Sequence, residues 1–259
     1  MNAGVDSDLG TNVYAEQLVA AVKRGDVAVA TIDKAVRRIL SLKFQMGLFD
    51  DPFVDEKQAV QLVASSEHTG LAREVARQSI VLLKNKDKLL PLKKDIRTLA
   101  VIGPNADNVY NMLGDYTAPQ ADGTVVTVLD GIRQKVSKET RVLYAKGCAV
   151  RDSSRTGFKD AIETARNADA VVMVMGGSSA RDFSSEYEET GAAKVTINQI
   201  SDMESGEGYD RATLHLMGRQ LELLEEISRL GKPVVLVLIK GRPLLMEGAI
   251  QEAEAIVDA

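Results

Sequence analysis

The residues best equipped for chemistry in this 259-residue chain lie together in Ser205-Gly206-Glu207-Gly208-Tyr209-Asp210-Arg211. A carboxylate between two glycines can be approached closely, because glycine has no side chain and permits backbone angles that other residues avoid. Glu207 has the chemistry of a general acid or base. Arg211 can hold Asp210 or a substrate hydroxyl, and Tyr209 offers a flat face. The segment closes a longer acidic stretch containing Asp182, Glu186, Glu188, Glu189, Asp202 and Glu204. Composition alone favours the blander reading, a solvated acidic turn.

The flanking elements give that segment its place. An apolar run at Ala170-Val171-Val172-Met173-Val174-Met175 precedes it, and a helix beginning near Met217 follows. Between them, from Gly176 to Gly218, lie roughly forty residues without sustained periodicity, a length that in compact domains marks a functional or a disordered loop. Similar apolar runs occur at Leu99 to Gly103, Val142 to Ala145, Val234 to Ile239 and Ala255 to Val257. Amphipathic helical segments separate them, one with Phe158, Ala161, Ile162 and Ala165 on a face and another with Met217, Leu221, Leu224 and Ile227. Strands apolar on both sides and alternating with helices predict an α/β fold, a doubly wound and mostly parallel sheet with helices on both faces. In such sheets ligands bind outside the carboxyl ends of the strands, which is where the acidic loop leaves.

A short helical appendage precedes the sheet. One helix is expected from about Tyr14 to Arg24, stopped by Gly25, and a second from Thr31 as N-cap to Gly47. Residues 1–50 are assigned to this appendage, 51–66 to a linker and 67–259 to the α/β domain, which a helix from Glu67 to Arg77 opens.

Other chemistries fit less well. Val101-Ile102-Gly103-Pro104-Asn105-Ala106 stands where a phosphate loop would, but it has one glycine where the dinucleotide fingerprint has three. Pro104 also removes a backbone donor, so a turn with Asn105 or Asp107 capping the next helix is the better account. The acidic loop lacks the acid spacing of a calcium-binding helix–loop–helix. With Cys148 as the single cysteine, and His68 and His215 as the two histidines, no zinc spacing exists. No metal site and no cofactor are expected. A net charge of −5 argues against nucleic acid as a partner, and no apolar run is long enough for a membrane span.

Several segments together resemble the family 3 glycoside hydrolases, the β-glucosidases and β-xylosidases. Ile39-Leu40-Ser41-Leu42-Lys43-Phe44-Gln45-Met46-Gly47-Leu48-Phe49 is similar to the stretch closing that family's N-terminal barrel. Leu71 to Asn85, followed by Leu90-Pro91-Leu92, resembles the entry to its second domain, and Val101 to Ala106 the strand and turn after it. Ser205 to Arg211, leading to Leu214 and Leu216, resembles the segment carrying the acid/base carboxylate. The stretches Arg181-Asp182-Phe183 and Thr190-Gly191-Ala192-Ala193 look most like xylosidase/glucosidase members from polysaccharide-degrading bacteria. One departure is Met217, where the family often has Pro.

The resemblance implies a retaining, exo-acting β-glycosidase acting on oligosaccharides or other β-glycosides. Glu207 takes the acid/base role, with Glu204 as runner-up and Tyr209, Asp210 and Arg211 as substrate-binding residues. The family's nucleophile, an Asp on the barrel, has no match here, so the missing N-terminal barrel is an expected partner and the chain alone is expected to be inactive. The Glu207 loop is then expected to lie open to water, and the parent to be periplasmic or extracellular. Two further readings stay open: a non-catalytic carbohydrate-binding or assembly module, and a flavodoxin-like nucleotide-binding domain.

Overall fold

Val, Ile, Leu and Met concentrate in short runs apolar on both sides, and such runs are stable only as strands sandwiched between helix layers. The computed structural model describes residues 1–118, 120–121, 123–180 and 202–259. Its sheet is built from β1 (Val81–Asn85), β2 (Thr98–Ile102), β3 (Arg141–Ala145), β4 (Ala170–Gly176), β5 (Val234–Ile239) and β6 (Ala255–Asp258), in the order β1-β6-β5-β4-β2-β3. All neighbours run parallel except β1 and β6, which pair antiparallel.

Side chains alternate across β4 with the period of two that a strand imposes. Val171, Met173 and Met175 enter the layer filled by Phe158 and Ala161 of α7 (Phe158–Arg166) and by Leu223, Leu224 and Ile227 of α8 (Gln220–Ser228). Val172 and Val174 enter the opposite layer with Leu99, Val101, Val235 and Leu129. Every residue of β2 and β4 is buried. At about 1.5–3 kcal/mol for each large apolar side chain removed from water, these two layers hold the sheet rigid beneath its loops.

The helices differ from expectation at their ends. In the first part of the chain, α1 spans Val13–Arg24 and α2 Val29–Gln45. Ala28, not Thr31, stands at the N-cap of α2, because Val29 and Ala30 already take helical angles. The expected linker contains α3 (Glu56–Leu62), whose first turn is satisfied by Asp55 accepting from the backbone N–H groups of Lys57 and Gln58. The next helix, α4, spans Ser66–Ser79. After β2, α5 (Val109–Leu113) is capped by Asn108 rather than Asn105 or Asp107. Asn105 instead turns into the interior, and Asp107 accepts a hydrogen bond from the Thr127 hydroxyl at the start of α6 (Val128–Lys135).

The chain divides into two units, residues 1–72 and 73–259. Within residues 1–72, Ala35 is the one buried residue, while Val19, Leu42, Phe44 and Phe49 are more than half exposed. Among the described residues, no helix is long and apolar enough to cross a membrane.

Candidate active site

The strand order creates the site's location. From β2 the chain moves outward to β3, then returns to the other side of β2 as β4. The connections after β2 and β4 therefore part in opposite directions at the carboxyl edge, the switch point where open α/β sheets bind ligands. The candidate residues sit on those two connections, with anchoring partners from the connections after β3 and β5.

Buried polar side chains anchor the bases of the loops. The Asn105 amide nitrogen donates to the carbonyl of Gly177 at 3.0 Å, and its oxygen accepts from the Asn111 amide at 2.8 Å. The Asn111 oxygen in turn accepts from the Ser178 hydroxyl at 2.7 Å. Gln220, fully buried at the head of α8, grips Gly176 from both sides, its oxygen accepting from the Gly176 N–H and its nitrogen donating to the Gly176 carbonyl. The returning chain is pinned where Asp202 accepts from the N–H groups of Val150 and Arg151, and where the Arg151 guanidinium donates to the Met203 carbonyl. Such networks are costly if broken, because a buried polar group left unpaired loses its full solvation.

Glu204 and Glu207, three residues apart, occupy opposite environments. Glu204 is 5% exposed; its N–H donates to the Ser178 carbonyl, and its carboxylate receives the Arg211 guanidinium at 2.9 Å. The second carboxylate oxygen, Oε2, is buried without a hydrogen-bond partner. Burial pushes the Glu204 carboxyl above the ordinary carboxylate range, outweighing the pull of Arg211, Arg151 and Arg242. Glu204 is committed to the loop's interior.

Glu207 takes the second place in a four-residue turn closed by the Tyr209 N–H donating to the Gly206 carbonyl. Gly208 follows with φ +78°, the left-handed value that the third position of such turns reserves for glycine. The Glu207 N–H donates to Asp115 Oδ2 at 3.1 Å, and the Tyr116 hydroxyl donates to Glu207 Oε2 at 3.4 Å. Glu207 is therefore half-buried, where the sequence predicts an open loop: the connection after β2 packs against the turn.

The other expected residues are also located. Tyr209 is half-buried beside Glu207, and Asp210 is exposed. Arg211 points inward to Glu204 and also donates to the carbonyls of Thr213 and His215, so its guanidinium is not directed at Asp210. Asp210 is held instead by its neighbour's backbone N–H and by Arg242 at 2.7 Å, which keep its carboxyl below the usual range. Asp182, Glu186, Glu188 and Glu189, with Arg181, Phe183 and Thr190 to Ala193, lie outside the described residues.

Sequence reasoning missed Asp115, Tyr116, Asn111, Ser178, Gln220 and Arg242. Their types carry no local signature, and only the pairing of distant strands brings them to the loop. Among the described residues, no group of three or more His, Cys, Asp or Glu side chains is arranged to hold a metal ion.

A mostly parallel sheet with Glu204 and Glu207 on the loop at its switch point defines a domain type, and comparison with known proteins identifies the family. Residues 80–259 match the glycosyl hydrolase family 3 C-terminal domain. The chain belongs to this family. It is 37% identical to a β-xylosidase of Formosa agariphila and 34% identical to a periplasmic β-glucosidase of Salmonella typhimurium, each match covering 100% of this chain. The chain spans about a third of the length of these curated relatives, 34% of each. Among solved structures, a β-glucosidase from Listeria innocua in complex with glucose superimposes with a TM-score of 0.75 at 27% identity, covering 99% of this chain and 31% of that one. A β-glucosidase involved in saponin metabolism from intestinal bacteria gives 0.78 at 29% identity, covering 100% and 38%.

Proposed function

We propose that this chain is the second domain of a retaining, exo-acting β-glycosidase of the β-glucosidase/β-xylosidase type, and that Glu207 is its general acid/base. The observation that carries the assignment is the contrast between the two glutamates. Glu204 is buried and bound to Arg211, whereas the Glu207 carboxylate stands on a turn at the switch point, beside the hydroxyl of an exposed Tyr116. An acid that serves a glycosidic oxygen must be reachable by the substrate, and Glu207 is the reachable one.

In the proposed reaction an Asp on an upstream barrel attacks the anomeric carbon while Glu207 protonates the departing oxygen. Glu207 then takes a proton from the water that hydrolyses the glycosyl-enzyme. Retention requires the two carboxyl groups to sit about 5–5.5 Å apart. Acid/base assistance alone supplies about 10²–10⁴-fold, so the chain without the nucleophile is inactive. The apolar side chains exposed along residues 1–72 support the reading that these helices complete such a barrel. The name of the Salmonella relative supports a periplasmic or secreted parent.

The test is hydrolysis of aryl β-glucosides and β-xylosides by the chain extended upstream through a whole barrel, as wild type and as Glu207→Ala, with and without azide. Loss of activity in Glu207→Ala, restored by azide with a β-glycosyl azide as product, supports the assignment. Full activity in that variant moves the role to Glu204. An inactive wild type favours a carbohydrate-binding or assembly module.

A further inference from the structure

We infer that Asp115 is the positioning residue for Glu207, fixing the acid/base turn from the neighbouring strand connection. The inference rests on the acid/base reading of Glu207. Asp115 Oδ2 accepts the Glu207 N–H at 3.1 Å, the only backbone donor that Glu207 has to offer. The same oxygen lies so near the turn that a Cβ on Gly206 would stand 3.0 Å from it. A carboxylate accepting from a backbone N–H makes a charge-assisted bond, stronger than the usual neutral one.

The support behind Asp115 is rigid. Asp115 follows directly after α5 and Gly114, and α5 is tied down by Asn111, whose side chain joins Asn105 and Ser178 in the interior. Ser178 reaches the same loop from its other end, through its carbonyl and the Glu204 N–H at 2.8 Å. The connections after β2 and β4, joined by Asn111 and Ser178, thus hold the Ser205-Gly206 corner on both sides, Ser178 at Glu204 and Asp115 at Glu207. Tyr116, the next residue, brings its hydroxyl to the Glu207 carboxylate. A general acid must lie within hydrogen-bond reach of the oxygen it protonates, and a misplacement of about 1 Å costs about 10²-fold.

Leaving-group dependence separates positioning of the acid from a merely structural role. A dinitrophenolate departs without a proton, whereas a phenolate needs one. The barrel-containing protein is assayed on phenyl and 2,4-dinitrophenyl β-glycosides as wild type, Asp115→Ala, Asp115→Asn and Glu207→Ala, with thermal melts recorded for each. Asp115→Ala is expected to lower kcat/KM on the phenyl glycoside by about ten- to hundredfold and to leave the dinitrophenyl glycoside within a few-fold. Asp115→Asn, which keeps an acceptor oxygen in place, is expected to recover most of the loss. Equal losses on both substrates, or no loss on either, would overturn the inference. If Asp115→Ala does not fold, Asp115→Leu, which keeps the volume without an acceptor, takes its place: a loss confined to the phenyl glycoside supports the inference, and equal losses on both or none on either refute it. A selective loss in Glu207→Ala without one in Asp115→Ala removes the positioning role alone. No selectivity in Glu207→Ala removes the acid/base reading and the inference with it.

Discussion

The Arg211 guanidinium meets the Glu204 carboxylate at 2.9 Å with the two side chains 2% and 4% exposed, and the turn bearing Glu207 lies between them in the chain. The pair closes the base of that turn, so the sequence between its members is presented outward as a short loop. A buried ion pair is costly to assemble and far costlier to leave half-made.

Arg211→Met is therefore expected to destabilise residues 73–259 by about 3–5 kcal/mol, since it strands a buried carboxylate. The change is read from urea midpoints at unchanged slope. The double variant Glu204→Leu with Arg211→Met is expected to lose less than the single one, because it removes the stranded charge. A double variant at least as unstable as Arg211→Met would show that the pair does not close the turn's base.

Glu204 also sets a pH dependence. Its carboxyl is raised above the ordinary range by burial, against the attraction of Arg211. A carboxyl with a higher folded than unfolded pKa binds protons more tightly when folded. Its contribution is fully present below the unfolded value and is lost as pH rises through the folded one. The stability of wild type relative to Glu204→Gln should then fall as pH is raised from about 4, the unfolded carboxylate value, towards neutrality. Denaturant titrations of both proteins across that window provide the measurement, and a difference that grows with pH contradicts it.

Asn111→Ala removes the link between Asn105 and Ser178, both buried. Leaving those partners unsatisfied is expected to cost about 1–3 kcal/mol. Hydrogen exchange should quicken most at the Glu204 and Glu207 amides, whose acceptors are the carbonyl of Ser178 and the carboxylate of Asp115. A stability loss without faster exchange at those amides would detach the network from the turn.

Cys148 is 7% exposed, and burial pushes its thiol up to about 12. The thiolate is the reactive form, so a thiol reagent at pH 8 should modify the folded protein only as fast as it opens. In denaturant, where the thiol returns to about 8.5, modification should be immediate. Rapid modification without denaturant would mean that the residue is accessible.

The sheet was legible in the sequence because runs such as Ala170 to Met175 and Val234 to Ile239 are too short for buried helices and apolar on both sides. The Gly206-Glu207-Gly208 turn was legible too, since glycine at φ +78° leaves a local mark. The cap of α2 was not, because Thr31 is as good a cap as any and only the backbone decides where the helix begins. Nor was α3 in the expected linker, where Asp55 supplies the cap to a stretch with little apolar patterning.

The amino-acid sequence by itself determined the fold class and the family, because strand periodicity and motif order are read along the chain, and it singled out Ser205 to Arg211 as the candidate segment. Tertiary structure alone decided which glutamate is buried, where Arg211 points, and that Asp115 and Tyr116 reach Glu207 across separations of 92 and 91 residues. Those contacts depend on β2 and β4 lying side by side with their connections diverging at one edge. Residues that far apart meet only after the sheet has formed, and no spacing along the chain records the meeting.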